Sequence, residues 1–168
     1  MSPKSHAILE KQPPLAHNEA RGVKKVLVST RGRYALRVMI DLAEHNNGTY
    51  NTLRDIASRQ EISEKYLESI AAILVKAGYV EGVRGKGGGY RLTRSPELYT
   101  VGSVLKLTEG TLAPVACMDG RQKECARGEN CRTLPMWEKL GQTIDDFFEG
   151  ITIDDLAKGN GDGGNFVI

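Results

Sequence analysis

Three cysteines, Cys117, Cys125 and Cys131, are the only ones in this 168-residue chain, and seven and five residues separate them. An odd number so closely grouped argues against a disulfide framework and for metal or redox work. Thiolates at this spacing converge on one small metal centre when the segment folds as a loop, and iron–sulfur clusters prefer thiolate ligands. Zinc also takes thiolates, usually through a Cys-x2–4-Cys pair with a histidine nearby. Here His6, His17 and His45 all lie outside the segment. Arg121, Lys123, Arg127 and Arg132 bring positive charge to the thiols, which favours the thiolate for ligation or redox reactivity. On these residues alone, a cluster, a zinc or redox-only site, and thiols that have lost their metal all stand open.

A second stretch, "RGKGGGYRL" from Arg84 to Leu92, sets four glycines among two arginines and a lysine. Glycine admits φ > 0 and close backbone approach, at a cost in folding entropy. A Walker loop needs Gly, four residues, then Gly-Lys-Ser/Thr opening a helix. Gly82 stands too near Gly85-Lys86-Gly87 for that, and a strand pattern follows. The dinucleotide fingerprint fails because no helix begins after the glycines. A hairpin whose small, cationic tip lies against nucleic acid fits better.

The elements that position these residues read mostly as helix. Ala35, Val38, Met39, Leu42 and Ala43 mark one face of a helix over 30–45. Thr52 with Asp55 resembles a capping signal for a short second helix through Leu53, Ile56 and Ala57. Ser63 caps a third with Leu67, Ile70, Ala71 and Leu74 buried, and Gly78 ends it. "YVEGV" and "GYRLT" at 79–83 and 89–93 alternate as strands around the glycine loop. A short helix follows over Val101–Glu109. After the cysteine segment, Trp137, Leu140, Ile144, Phe147 and Phe148 line a helix from Pro135 to Glu149, whose wide apolar stripe is expected to pack on the same helix of a second subunit.

The fold class expected is therefore mainly α with a small β-hairpin: a winged helix-turn-helix plus a long C-terminal dimerisation helix. Residues 1–25 read as a disordered extension or tag and 26–95 as the DNA-binding domain. Residues 96–158 hold the cysteine loop and dimer helix, and 159–168 a flexible tail. The net charge of +2 conceals an asymmetry: residues 21–94 hold fourteen Lys and Arg against seven Asp and Glu, and residues 95–168 hold seven against twelve. The first part is suited to a polyanion. With no run of 18 apolar residues and no secretory signal, the chain is expected to be cytoplasmic.

In a winged helix the third helix enters the major groove and presents its first turns to base edges. Here those positions are Ser63, Glu64, Lys65, Tyr66, Glu68 and Ser69. A carboxylate at Glu68 gains there by accepting from a cytosine amino group, whereas Glu64 reads as a solvated face. Wing Arg84 and Lys86 reach phosphates or the minor groove. Arg31, Arg33 and Arg37 suit phosphate contacts.

The strings "STRGRYALRVMIDLA", "ISEKYLESIAAILVKAGYVEGVRGKGGGYRL" and "WEKLGQTIDDFFEGITIDDLA" resemble the Rrf-two family of bacterial winged-helix transcription regulators over about residues 26–157. The family usually begins two residues before a "VST"-like string, which aligns its start with Val26. The resemblance implies a homodimer with Arg33, Tyr66, Glu68, Ser69 and Arg84 on double-stranded DNA. It also implies that Cys117, Cys125 and Cys131 hold an iron–sulfur cluster, two-iron or four-iron. This sequence departs from its relatives at the fourth ligand. The iron–sulfur-regulator branch has a histidine where Leu134 stands; the nitric-oxide-sensing branch uses an aspartate where Arg33 stands. Glu124, Glu129, Asp119, a partner-subunit group or a small thiol remain open, and a weak fourth ligand suits a sensor.

The terminal "NFVI" resembles the end of the family's cysteine-metabolism repressors. It implies a second reading: a cofactor-free repressor whose tail docks to cysteine synthase through Ile168. A redox enzyme is the weakest reading, since no acid–base pair accompanies the cysteines. The leading expectation is a DNA-binding regulator whose cluster sets its affinity for a palindromic operator.

Overall fold

A computed structural model describes residues 28–119 and 130–159. Helix α1 (Thr30–Glu44) starts at Ser29, whose Oγ accepts from Gly32 N at 3.2 Å. It buries Ala35, Val38, Met39 and Leu42, the face read from the sequence. Helix α2 (Leu53–Gln60) begins at Thr52, whose hydroxyl accepts from Asp55 N at 3.1 Å. Helix α3 (Glu64–Lys76) is capped by Ser63 and buries Leu67, Ile70, Ala71 and Leu74, as its periodicity requires. Between α2 and α3, Glu61 adopts a left-handed conformation (φ 53°) and Ile62 is buried. The turn therefore folds back tightly and fixes the angle of α3.

Strands β1 (Val80–Val83) and β2 (Gly89–Leu92) form an antiparallel hairpin, Val80 opposite Leu92 and Val83 opposite Gly89. The linker between α1 and α2 adds a one-residue third strand. Asn51 N donates to Tyr90 O at 2.9 Å and Tyr90 N to Asn51 O at 2.7 Å. This pairing explains part of the glycine run. A Cβ on Gly89 would stand 2.3 Å from the Asn51 carbonyl oxygen, and one on Gly88 2.2 Å from Val83 O. Those two glycines answer to the chain's own backbone, the close backbone approach that the sequence reading allowed beside a DNA-facing turn.

Tyr99 lies in the same core as α1 and α3. Its hydroxyl donates to Tyr79 O at 3.0 Å and accepts from Arg94 N at 2.9 Å. Helix α4 (Val101–Glu109) follows from a Thr100 cap. Helix α5 (Leu134–Glu149) starts one residue earlier than the sequence indicates. After it the chain returns to the body as α6 (Ile153–Ala157), opened by a Thr152–Asp155 capping box and buried at Ile153. This helix was absent from the sequence reading. Five residues are too few to display a period, and the T-x-x-D box was its only signal.

Helix α5 has no fully buried residue; Met136 is 54%, Leu140 41% and Phe147 42% exposed. Lys106 Nζ ties its C-terminal half to α4, at 3.1 Å from Asp145 Oδ1 and 3.0 Å from Glu149 Oε1. Half-exposed ion pairs of this kind are worth only about 0.2–1 kcal/mol each. No helix among the described residues is long and apolar enough to cross a membrane.

Candidate nucleic-acid interface and cysteine segment

The capping of α3 decides which of its side chains face outward. Ser63 is exposed, but its Oγ accepts from Tyr66 N at 3.4 Å. Ser69 Oγ donates back to Tyr66 O at 2.7 Å. Tyr66 is half-buried, its ring edge-on to Tyr34 at 5.7 Å, so it is held rigidly. Lys65 and Glu68 project from the exposed face. A shallow groove of about 240 Å³ separates Glu68, Ala72 and Val75 of α3 from Val83, Arg84 and Tyr90 of the hairpin. Arg84 and Lys86 are exposed at the hairpin tip, where Gly85 and Gly87 have positive φ. The outer face of α3 from Glu68 to Val75 and the hairpin at Arg84 thus flank one open groove.

Arg31 and Arg33 are exposed in the first turn of α1, and Arg33 Nη2 donates to Thr30 Oγ1 at 3.3 Å. Arg37 is engaged within the molecule. It donates to Gln60 Oε1 at 3.0 Å and to the Gln60 carbonyl, satisfying the C-terminus of α2. Its guanidinium also lies 5.5 Å from the Tyr34 ring centre. The sequence reading suited Arg37 to phosphate; the exposed guanidinium also closes a helix end within the fold.

Sequence reasoning missed the network beneath this surface. Asp41 is wholly buried on the apolar face of α1. Arg59 of α2 grips it with a two-pronged contact, Nε to Oδ2 at 2.9 Å and Nη2 to Oδ1 at 2.6 Å. Gln60 Nε2 donates to the same carboxylate at 3.0 Å. The carboxylate holds the Arg59 guanidinium above its ordinary pKa, chiefly through that hydrogen bond. An aspartate between Met39 and Leu42, inside an apolar stripe, was the available signal. Its partner eighteen residues away was not legible.

The hairpin has its own support. Arg91 donates to Glu81, which also accepts from Tyr50 Oη at 3.2 Å, and Arg91 lies 4.6 Å from the Tyr50 ring centre. The Arg91 hydrogen bond holds the Glu81 carboxyl below its usual pKa.

Of the three cysteines, Cys117 is exposed in a single 3-10 turn, Ala116–Met118, and Cys131 is half-buried just before α5. Cys125 lies outside the described residues, as do Glu124, Glu129 and Ile168. Cys131 Sγ is 3.4 Å from Thr133 Oγ1. Hydrogen bonds from the Thr133 hydroxyl, then from backbone amides, push the Cys131 thiol below its ordinary pKa. The arm carrying Cys117 lies along α5. A Cβ on Gly141 would meet Met118 Cε at 3.2 Å and Pro114 Cδ at 3.4 Å. Both ends of the 117–131 segment are therefore anchored to α5 with accessible, unbridged thiols, one of them biased toward thiolate. That donor set fits an iron–sulfur group. Among the described residues no cluster of three metal-binding side chains is assembled. Leu134 and Arg33 occupy positions that offer no ligand.

Comparison with known proteins agrees with this architecture. The Rrf2 family profile, described as an iron-dependent transcriptional regulator, matches residues 28–159. The HTH-type transcriptional regulator IscR of Vibrio campbellii is 37% identical over 133 residues, 79% of this chain and 78% of its own length. Among solved structures, T. potens IscR superposes with a TM-score of 0.62 at 33% identity, covering 84% of this chain and 93% of that one. CymR, described as the global cysteine regulator of B. subtilis, gives 0.65 at 30% identity, covering 79% and 97%. With a winged helix-turn-helix, a basic exposed tip and a family match spanning all the described residues, the chain belongs to the Rrf2 family of DNA-binding transcription regulators.

Proposed function

We propose that the protein is a dimeric regulator whose affinity for a palindromic operator is set by an iron–sulfur cluster held by Cys117, Cys125 and Cys131. The observation that carries this reading is the anchoring of both ends of the cysteine segment on α5, with Cys131 biased toward thiolate. When bound, such a cluster supplies sensitivity to redox state and to ligand exchange. The chain's own residues do the rest. Cys131 lies three residues before α5, so a displacement of Cys131 moves the first turn of that helix. In a dimer joined through α5, that movement alters the separation of the two α3 helices and their match to half-site spacing. Small shifts suffice, because each lost base contact costs about 1–3 kcal/mol. Lys65, Tyr66, Glu68, Ser63 and Ser69 would face bases, and Arg31, Arg33, Arg84 and Lys86 phosphates or the minor groove.

Anaerobic purification tests the proposal. The expected result is a coloured, iron-containing protein whose affinity for promoter DNA changes when air bleaches it. A colourless protein with unchanged DNA binding would refute the cluster. That outcome favours the second reading, a cofactor-free regulator of cysteine or sulfur metabolism whose tail docks to cysteine synthase; the similarity to CymR supports it.

The exposed face of α5 supports the dimer. Burying a leucine or phenylalanine fully gains about 1.5–3 kcal/mol, and a twofold interface counts each side chain twice. Leu140→Glu with Phe147→Glu is expected to convert dimer to monomer in sedimentation. Loss of the linked second half-site should weaken binding to a palindrome by about 100-fold or more. Unchanged mass would place the interface elsewhere.

A further inference from the structure

We propose that Asn51 is a positioning residue for DNA binding, holding the wing at a fixed pitch against the helix-turn-helix unit. The inference rests on the reading of the β1–β2 hairpin as a DNA-contacting wing. Asn51 engages all four of its polar groups. Its backbone N and O pair with Tyr90 of β2 at 2.9 and 2.7 Å. Its side-chain Oδ1 accepts from Arg59 Nη2 at 3.2 Å, and its Nδ2 donates to His45 O at 3.4 Å. Arg59 is in turn locked on buried Asp41. A continuous run of hydrogen bonds therefore leads from the core of α1, through α2, to the root of the wing.

The side chain is specific for this task. Alanine removes both side-chain anchors. Aspartate keeps an acceptor for Arg59 but has no donor for the His45 carbonyl. The linker before it, "NNGTY", is an exposed turn-rich stretch with little packing of its own except Tyr50. Without the Asn51 side chain, the backbone pair with Tyr90 persists and Val80 and Leu92 stay in the core, but the linker and the outer part of the hairpin can tilt together about that root. Arg84 and Lys86 then lose a defined place relative to α3. The residue touches no nucleic acid in this account and acts through the position of the wing tip.

A double-mutant cycle separates positioning from general stability. The probe is a palindromic duplex selected by the wild-type protein from a random pool, with affinity read by fluorescence anisotropy on the full-length dimer. Asn51→Ala is expected to weaken binding by about tenfold, the equivalent of one charge-assisted hydrogen bond, while the protein stays folded at the assay temperature. Arg84→Ala should weaken binding in the parent yet have little further effect in Asn51→Ala. Lys65→Ala, on α3, should cost the same in both backgrounds. Equal effects of Arg84→Ala in both backgrounds overturn the inference, as does wild-type affinity in Asn51→Ala. An Arg84→Ala protein that binds like the parent refutes the wing reading itself, a separate failure. If Asn51→Ala does not fold, Arg59→Lys serves in its place: it keeps the charge beside Asp41 but lacks the fork that reaches both Asp41 and Asn51.

Discussion

Arg59→Met is expected to lower the unfolding free energy by about 3–5 kcal/mol, because it strands a fully buried carboxylate. Among the described residues, Asp41 would keep only Gln60 Nε2 as a side-chain donor, with His45 Nδ1 3.9 Å away. The reverse deletion is milder. Arg59 keeps about a third of its side chain exposed, so in Asp41→Ala its guanidinium turns to water, and the loss should be nearer 2 kcal/mol. A two-partner change, Asp41→Leu with Arg59→Met, should recover most of the loss, since an apolar pair of similar volume avoids desolvating charge. Urea unfolding of the three variants at one protein concentration checks the ordering. Equal losses from the two single changes would show that burial of Asp41 does not control the energetics.

Cys131→Ala is expected to abolish iron retention while leaving the secondary structure intact. The thiol contributes no core packing: Cys131 is half-buried, and the first turn of α5 beyond it is largely exposed. Its local hydrogen bonds with Thr133 favour the thiolate, the form that ligates. Visible absorbance and bound iron in anaerobically purified protein are the readouts, with circular dichroism as the control for folding. Thr133→Val should have a smaller effect in the same direction, because it removes the main cause of the lowered thiol pKa, the Thr133 hydroxyl, and keeps the sulfur. Full iron content in Cys131→Ala would remove this residue from the ligand set.

The winged-helix architecture was legible because its helices obey a strong period. In α3 the four residues expected to be buried are the four that are buried, and Ser63 caps it as read. What escaped the sequence was non-local. Asp41 passed unremarked in the stripe of α1, because its partners Arg59 and Gln60 arrive from α2. Arg37 read as one more basic residue near DNA, and its second task, closing the end of α2 at Gln60, left no local signal. The short α6 carried a capping box but no period. In the cysteine segment the thiols were plain from spacing, yet nothing local reveals which further group completes a site, because a ligand from elsewhere leaves no mark beside Cys117 or Cys131.

The glycine loop divides into two parts with different masters. Gly88 and Gly89 are fixed by Val83 and Asn51 of the same chain, so substitution there breaks the hairpin whatever duplex is bound. At Gly85 and Gly87 an added Cβ would meet nothing, and Lys86 between them projects freely. Under the proposed wing reading, residue changes at Lys86 therefore alter DNA affinity without endangering the scaffold.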